Sequence, residues 1–388
     1  MKTYDWIVIG GGITGSALAY ELSKKDFTVL LLEKDMQLDN ATVYSYGGLP
    51  YWSGTTETTR QIGKEGIELQ RNLAAELDSD TEFEELHLLL TVDAKDEPVE
   101  VAKNFTQFAI QPKILDSKEA CHYEPLLNQD AISGVLQLPY GRINTQKTTV
   151  AYQQAFVRDR GTIKYEKVTE FVRQQDKIQG VITTKNTYYS QNTVVCGGGL
   201  SHSLLQNAGI DAKVYFTHAQ VIKTVATELK LNNIVMPARQ QRFALETVGE
   251  ELEKKSAWKN PNSKIVKSIL DTGAVQLSDR SLFLGQISAI VTNPYYTLDK
   301  TVAEQQIRSS IARILPDLAN IPGTCHNCLV AFNTEKIATI GKLKNMRGIY
   351  LFSGFTSTIV FAPPLARRFA NWLSGEADLI IEELVVSS

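Results

Sequence analysis

The chain opens its apolar pattern with Trp6-Ile7-Val8-Ile9, a short continuous run of the kind expected for a strand buried on both faces. Gly10-Gly11-Gly12-Ile13-Thr14-Gly15 interrupts it. Ala17, Leu18, Ala19 and Leu22 then recur at helical spacing, up to the polar stop Ser23-Lys24-Lys25-Asp26. A second apolar run covers 28–32 and is closed by Glu33, so the first 34 residues read as strand, tight turn, helix, strand. Further on, the spacing predicts an amphipathic helix over 59–77, a strand over 86–92, a helix over 148–160 ending at Gly161 and a strand over 163–165. Strands are predicted at 168–174, 181–184, 187–190 and 193–196, the last entering Gly197-Gly198-Gly199. Residues 224–268 are more polar, with a charge-dense stretch at 250–255, and read as a partly exposed insertion. A strand over 348–352 precedes a helix over 362–373, with Pro363-Pro364 in its first turn and Gly375 just past its end.

Length adds domain number: 388 residues predict two or three domains at roughly 100–200 residues each. The formal net charge of −3 argues against a polyanion partner, so no nucleic acid is expected. Four unevenly spaced cysteines do not make a secreted disulfide framework and fit a reducing compartment. No apolar run reaches the ~20 residues of a membrane helix, and the N-terminus lacks the pattern of a signal peptide. A soluble, cytoplasmic protein is the expectation.

The candidate chemistry begins at the glycines. Gly10-x-Gly12-x-x-Gly15 follows a strand and opens a helix, and Glu33 stands 18 positions after Gly15 at the end of the next strand. That context is the dinucleotide-binding fingerprint. Gly10 permits the sharp turn, Gly12 lets the backbone approach a pyrophosphate, and Gly15 lets helix and strand pack closely. The helix N-terminus at Gly12, Ile13 and Thr14 offers N–H groups to the phosphates, and Glu33 can accept from both ribose hydroxyls. FAD and NAD share this motif; a fingerprint at the extreme N-terminus with no second one in the long remainder favours FAD.

With these elements the chain resembles the D-amino-acid oxidase, glycine oxidase and sarcosine oxidase family of FAD-dependent oxidoreductases over nearly its whole length. Glu33-Lys34 matches the end of the family fingerprint. Ala41-Thr42 and Ser45-Tyr46-Gly47-Gly48 match its small-residue stretch, and Lys167-Val168 stands where a strand touches adenine through its backbone. The strand-to-glycine element falls on 195–201, with Gly197 and Gly198, and the terminal element on 354–363. The resemblance implies an α/β (α+β) fold. A Rossmann-like βαβ FAD-binding domain, drawn from 1–50, 145–212 and 326–388, is interleaved with an antiparallel-sheet substrate domain from 51–144 and 213–325. It implies an oxidoreductase that transfers hydride from a carbon bearing an amine to flavin N5. Gly354 and the backbone N–H groups of Ser357, Thr358 and Ile359 would lie at the flavin's N1–C2=O edge.

The chain departs from the family where substrate and oxygen are handled. Asn333 and Thr356 stand where two carboxylate-holding arginines are expected, and neither replaces a guanidinium's charge. Neutral or larger amines are therefore expected to be better substrates than glycine, with Arg142 as the nearby cation that could rescue a carboxylate. Tyr46 and Tyr44 are candidate lining residues. Ala331 stands at the expected place of flavin attachment, so FAD should be non-covalent, and Phe283 takes the place of a lysine that assists oxygen. The electron acceptor is then oxygen or another molecule. Two other readings remain open: an FAD dehydrogenase of a small hydroxy acid with a non-oxygen acceptor, and a flavoprotein without turnover. Cys325-x-x-Cys328 has metal or redox spacing but no second ligand pair. His218 is a possible pocket residue. The oligomeric state is not encoded in any motif.

Overall fold

The apolar run at the N-terminus lies at the centre of a parallel sheet in the computed structural model, which describes residues 3–251, 256–260 and 263–385. In chain order the elements are β1 (Thr3–Ile9), α1 (Ile13–Ser23), β2 (Val29–Glu33), β3 (Gly48–Leu49), α2 (Glu57–Leu77), β4 (Glu84–Asp93), α3 (Pro98–Ala102), β5 (Lys113–Asp116), α4 (Ser117–Tyr123), β6 (Ile132–Arg142) and α5 (Thr145–Arg158). They continue with β7 (Thr162–Tyr165), β8 (Val168–Gln174), β9 (Lys177–Thr183), β10 (Thr187–Val195), α6 (Ser201–Asn207), β11 (Tyr215–Thr224), β12 (Ile234–Pro237), α7 (Gln241–Glu250) and β13 (Lys264–Gln276). The last are β14 (Leu282–Val291), α8 (Lys300–Ile314), β15 (Gly323–Phe332), β16 (Thr339–Lys342), β17 (Ile349–Ser353), α9 (Thr358–Leu373) and α10 (Leu379–Val385).

The first sheet runs β16-β17-β10-β1-β2-β7, parallel except for β16, with the β8–β9 hairpin joined to the start of β10. Every residue of β2 is buried. α1 is apolar almost all round because α5 and α9 cover it on the side away from the sheet. Two strands were expected within 187–196. The structure makes one, β10, because the polar Ser190-Gln191-Asn192 marks a change of partner rather than a break. Residues 187–189 pair antiparallel with β9, and from Thr193 the strand lies between β1 and β17.

The second sheet runs β15-β11-β14-β13-β12-β4-β6-β3, with β5 on β6. It is antiparallel, as expected, except at β12–β4, which are parallel. Alternation sorts its residues onto two faces. Leu89, Val135, Ile222 and Leu284 pack under α8 with Ile307 and Ile311, whereas Leu88, Leu90, Leu138 and Val221 face the other way with Trp52 and Tyr140. β15 belongs to this sheet along its whole length through its pairing with β11. Residues 326–332, expected to open the last piece of the first domain, thus lie in the second sheet.

α9 begins at Thr358, four residues earlier than its prolines suggest, so Pro363 and Pro364 sit in the second turn. A proline there leaves the carbonyl four residues before it without its helical partner. α2 covers that gap. The Gln70 side chain donates to the Ile359 carbonyl at 3.4 Å, and Gly66 lets α2 come so close that a Cβ there would stand 2.1 Å from the Val360 carbonyl oxygen. The stretch 224–268 is likewise more integrated than expected: β12 and β13 are sheet strands, and α7 buries Leu245, Glu246, Gly249 and Glu250. Residues 252–255 of the charge-dense stretch lie outside the described residues.

Candidate active site

The carboxyl ends of the parallel strands converge on one cavity of about 1540 Å³ between the two sheets. Ile9-Gly10, Leu32-Glu33, Glu166-Lys167, Cys196-Gly197 and Ser353-Gly354, each where a strand of the first sheet ends, line it. This is where open parallel sheets place their ligands. Small-molecule pockets run to ~300–1,000 Å³, so the space exceeds what a single small substrate needs.

At the strand ends, backbone does most of the shaping. Gly10 holds φ +105°, and a Cβ on Gly15 would stand 1.9 Å from the Gly10 carbonyl oxygen, so α1 can seat on β1 only with glycine there. α1 starts at Gly12 with no side-chain cap, and α9 starts at Ser357 with none either. Both helix N-termini line the cavity, leaving first-turn N–H groups for an occupant. Glu33 is buried; its carboxylate accepts the Gly11 N–H at 2.7 Å and the Asp35 N–H at 3.1 Å, so it braces the glycine turn as well as lining the cavity. Thr42, held in a turn by the Asn40 side chain, accepts the Ile13 N–H at 3.2 Å.

Of the residues expected to bind cofactor, Gly10, Gly12, Ile13, Thr14, Glu33, Lys34, Thr42, Gly48, Val168, Gly197, Gly198, Gly354, Ser357, Thr358 and Ile359 all line this cavity. Gly15 and Gly47 do not; Gly47, with φ +71°, instead packs against the Ile143 carbonyl. Glu166, which sequence reasoning missed, lines the wall beside Val168. Burial works against its charge, but hydrogen bonds from Thr183, Tyr188 and Asn186 outweigh it and hold its pKa below the usual carboxylate range. Two helix starts with open first-turn N–H groups, open glycine backbone and a buried carboxylate fit an extended diphosphate-bridged dinucleotide.

The other end of the cavity is made of side chains from the second sheet and its loops. Tyr44, Tyr46, Trp52, Phe105, Phe108 and Tyr140 form an aromatic wall, with Trp52 edge-on to Phe108 at 5.2 Å. The Tyr46 hydroxyl and the Trp52 indole nitrogen are buried without a hydrogen-bond partner. Burial raises the Tyr46 pKa, and the Asp271 charge adds to the rise. Tyr44 donates to Asp39 at 2.6 Å and stacks on His326 at 4.4 Å.

Three of the expected substrate contacts change. Arg142 does not reach the cavity: it is 2% exposed and pairs with Glu84, its cross-strand neighbour on β4, and with Ser278. Asn333 is buried outside the cavity. Its amide donates to Thr339 at 2.6 Å and to the Lys213 carbonyl at 3.3 Å, and its oxygen accepts the Glu335 N–H, so it fixes the turn after β15. Thr356 does line the cavity, with its N–H bonded to the Ile337 carbonyl. His218 is bonded to the Val291 and Asn293 carbonyls away from the cavity, and Phe283 stacks behind Tyr46 without lining it.

The cavity wall also holds Arg242, in the segment that reads as a partly exposed insertion, and Asp271, just beyond it. The Cys325 and Cys328 side chains, three apart on a strand, point to opposite faces: Cys325 joins the core under α8 and Cys328 lines the cavity. All four cysteines are free, and no cluster of metal ligands exists among the described residues. Burial pushes the Cys328 thiol up to about 12.

A family model described as "FAD dependent oxidoreductase" (DAO) matches residues 5–372. The 4-methylaminobutanoate oxidase (formaldehyde-forming) of Paenarthrobacter nicotinovorans is 22% identical over 376 residues, covering 95% of this chain and 43% of that protein. The glycine oxidase of Geobacillus kaustophilus is 25% identical over 223 residues, 55% of this chain and 59% of that one. The chain thus matches about half the length of these two curated relatives. The crystal structure of glycine oxidase from Geobacillus kaustophilus superposes with a TM-score of 0.80 at 18% identity, covering 100% of this chain and 99% of that one, which shows the fold.

Proposed function

This chain belongs to the DAO family of FAD-dependent oxidoreductases, and from that premise we propose that it oxidises the C–N bond of an amine or amino acid held in the aromatic half of its cavity. The observation that carries the reading is the continuity of the cavity. One space joins the glycine turn and the α9 N-terminus to Tyr46, Trp52 and Tyr140, so a dinucleotide at the strand ends and a small molecule at the aromatic wall share it.

Bound FAD supplies a two-electron acceptor for a hydride leaving the carbon that carries nitrogen. The chain's part is to bind and orient. The α1 N-terminus and Gly12 would hold the pyrophosphate, Glu33 the adenosine ribose, and Val168 with Glu166 the adenine end. The α9 N-terminus at Ser357, Thr358 and Ile359 would face the flavin edge where negative charge develops. The apolar lining around Trp52, Phe105 and Phe108 would exclude water and seat the carbon skeleton. Non-covalent attachment is favoured by the buried, protonated Cys328. The four free cysteines favour a reducing, cytoplasmic setting, and the acceptor is oxygen or another oxidant.

The test is anaerobic reduction of the purified yellow protein by a panel of primary, secondary and tertiary amines and amino acids, with hydroxy acids as a separate arm. Bleaching of the flavin by amines supports the proposal. Bleaching by hydroxy acids alone replaces it with the dehydrogenase reading, and bleaching by none favours a flavoprotein without turnover.

A further inference from the structure

Several polar groups on the cavity wall lack partners: the Trp52 indole N–H, the Tyr46 hydroxyl, Arg242 Nε and one acceptor, Asn327 Oδ1. Arg242, in the first turn of α7, lines the wall with its side chain about a quarter exposed. Glu246 Oε1 lies 3.2 Å from Arg242 Nε, but the contact lacks hydrogen-bond geometry and Nε has no partner; Asp271 is a second carboxylate within reach of the Arg242 charge. A guanidinium carries five N–H donors in a fixed fork. Among the described residues none of them donates a hydrogen bond to protein. The Trp52 indole N–H and the Tyr46 hydroxyl are also without partners.

The carboxylate oxygens of Asp271 in the same region are already used. Asp271, on β13, accepts the backbone N–H groups of Gln241 at 2.8 Å and Arg242 at 3.0 Å. It caps α7 from outside, since Gln240 at the N-cap makes no side-chain cap bond, and so fixes the turn that carries Arg242. Burial raises the pKa of both Asp271 and Glu246, against the lowering influence of the Arg242 charge. The Arg242 charge is felt at the Tyr140 hydroxyl and the Cys328 thiol, both in the cavity wall. A ligand that satisfies this end must bring acceptors, and planar bidentate ones suit a guanidinium best.

We propose that Arg242 is the anchor for a carboxylate on the substrate, so that the cavity selects amines carrying an acid group over neutral amines. This rests on the amine-oxidation reading for the reaction but not for the binding. It reverses the expectation drawn from Asn333, Thr356 and Arg142: the cation comes from a helix over the second sheet instead of from the strand ends.

The test uses the FAD-loaded protein and two probes of matched size, propionate and propionamide, with dissociation constants read by calorimetry and by perturbation of the flavin absorbance. Propionate should bind wild type more tightly than propionamide. Arg242→Met should weaken propionate by ~10- to 100-fold, the loss of a charge-assisted hydrogen bond, and leave propionamide unchanged. Arg242→Lys should fall between, keeping charge without the fork. Should Arg242→Met fail to fold, Glu246→Gln gives the opposite sign: removing the competing carboxylate should tighten propionate. Propionate that fails to bind wild type, or binds Arg242→Met as well as wild type, or is not tightened by Glu246→Gln, overturns the proposal. If propionate behaves as expected but no amine bleaches the flavin, the anion site stands and the reaction reading falls. If amines bleach the flavin while propionate is indifferent to residue 242, the reverse holds.

Discussion

Replacing Glu33 separates its two duties. Its carboxylate accepts Gly11 N–H at 2.7 Å and Asp35 N–H at 3.1 Å while lining the cavity. Hydrogen bonds to charged groups are worth ~1.5–3 kcal/mol, and a buried donor left unpaired costs ~1–3 kcal/mol. Gly11 is buried and Asp35 is half-exposed, so water can replace the second bond but not the first. Glu33→Ala should therefore destabilise the FAD-free protein by about 1.5–3 kcal/mol through the glycine turn alone. Losing one ribose hydrogen bond should cost FAD a similar amount, and at 1.4 kcal/mol per tenfold the dissociation constant should rise by at least ~10-fold. Glu33→Gln keeps one acceptor and should lie between. The assays are denaturant unfolding of the FAD-free protein and FAD titration by fluorescence quenching. Unchanged FAD affinity in Glu33→Ala, with or without lost stability, would refute the ribose assignment. Lost affinity with unchanged stability would refute the bracing role.

Two further outcomes follow from burial. Acid precipitation should release all the flavin, because the cavity-lining Cys328 is held protonated with its pKa near 12; yellow colour remaining with the pellet would show a covalent bond. Burial lowers the pKa of His218 below its ordinary 6.5, so the unfolded chain binds the proton first as pH falls. Its contribution to stability is present above pH ~6.5 and is lost as pH falls from there towards the depressed folded value. His218→Gln should flatten the fall in stability between pH 7 and 5 relative to wild type, measured by urea unfolding across that range, and an unchanged slope would count against a buried neutral imidazole.

The cofactor end of the cavity was legible because it is local. Gly10, Gly12, Gly15 and Glu33 lie within one βαβ unit, and their chemistry follows from spacing alone. The substrate end depends on which distant strands become neighbours. Arg142 looks like a free loop cation until the β4–β6 register sets it opposite Glu84. Asn333 looks like a site residue until the turn after β15 folds it onto Thr339. The pair Cys325 and Cys328 has metal or redox spacing without a second ligand pair, and a strand separates the two onto opposite faces. Glu166 gave no signal, since its partners Thr183 and Tyr188 come from the following hairpin and strand.

α7 misleads for a sharper reason: it buries two glutamates alongside Leu245 and Gly249. Arg242, Glu246 and Glu250 recur every four residues within the stretch that reads as partly exposed, yet Glu246 and Glu250 are buried while Phe243 and Val248 are exposed. Glu250 is held by the Thr334 N–H at 2.7 Å, and Glu246 lies 3.4 Å from the Thr217 hydroxyl, but the Arg242–Glu246 contact is poorly made. Exchanging a buried ion pair for apolar residues of similar volume is neutral or stabilising by ~1–4 kcal/mol, whereas breaking one by removing a single partner costs ~3–5 kcal/mol. If the pair serves ligand binding and not the fold, the double variant Arg242→Met/Glu246→Leu should unfold at equal or higher denaturant than wild type while losing propionate affinity. Each single variant should be less stable than the double. A double variant that loses ~3 kcal/mol or more would mean that the pair holds α7 in place, and the case for Arg242 as a ligand anchor would lose its energetic argument.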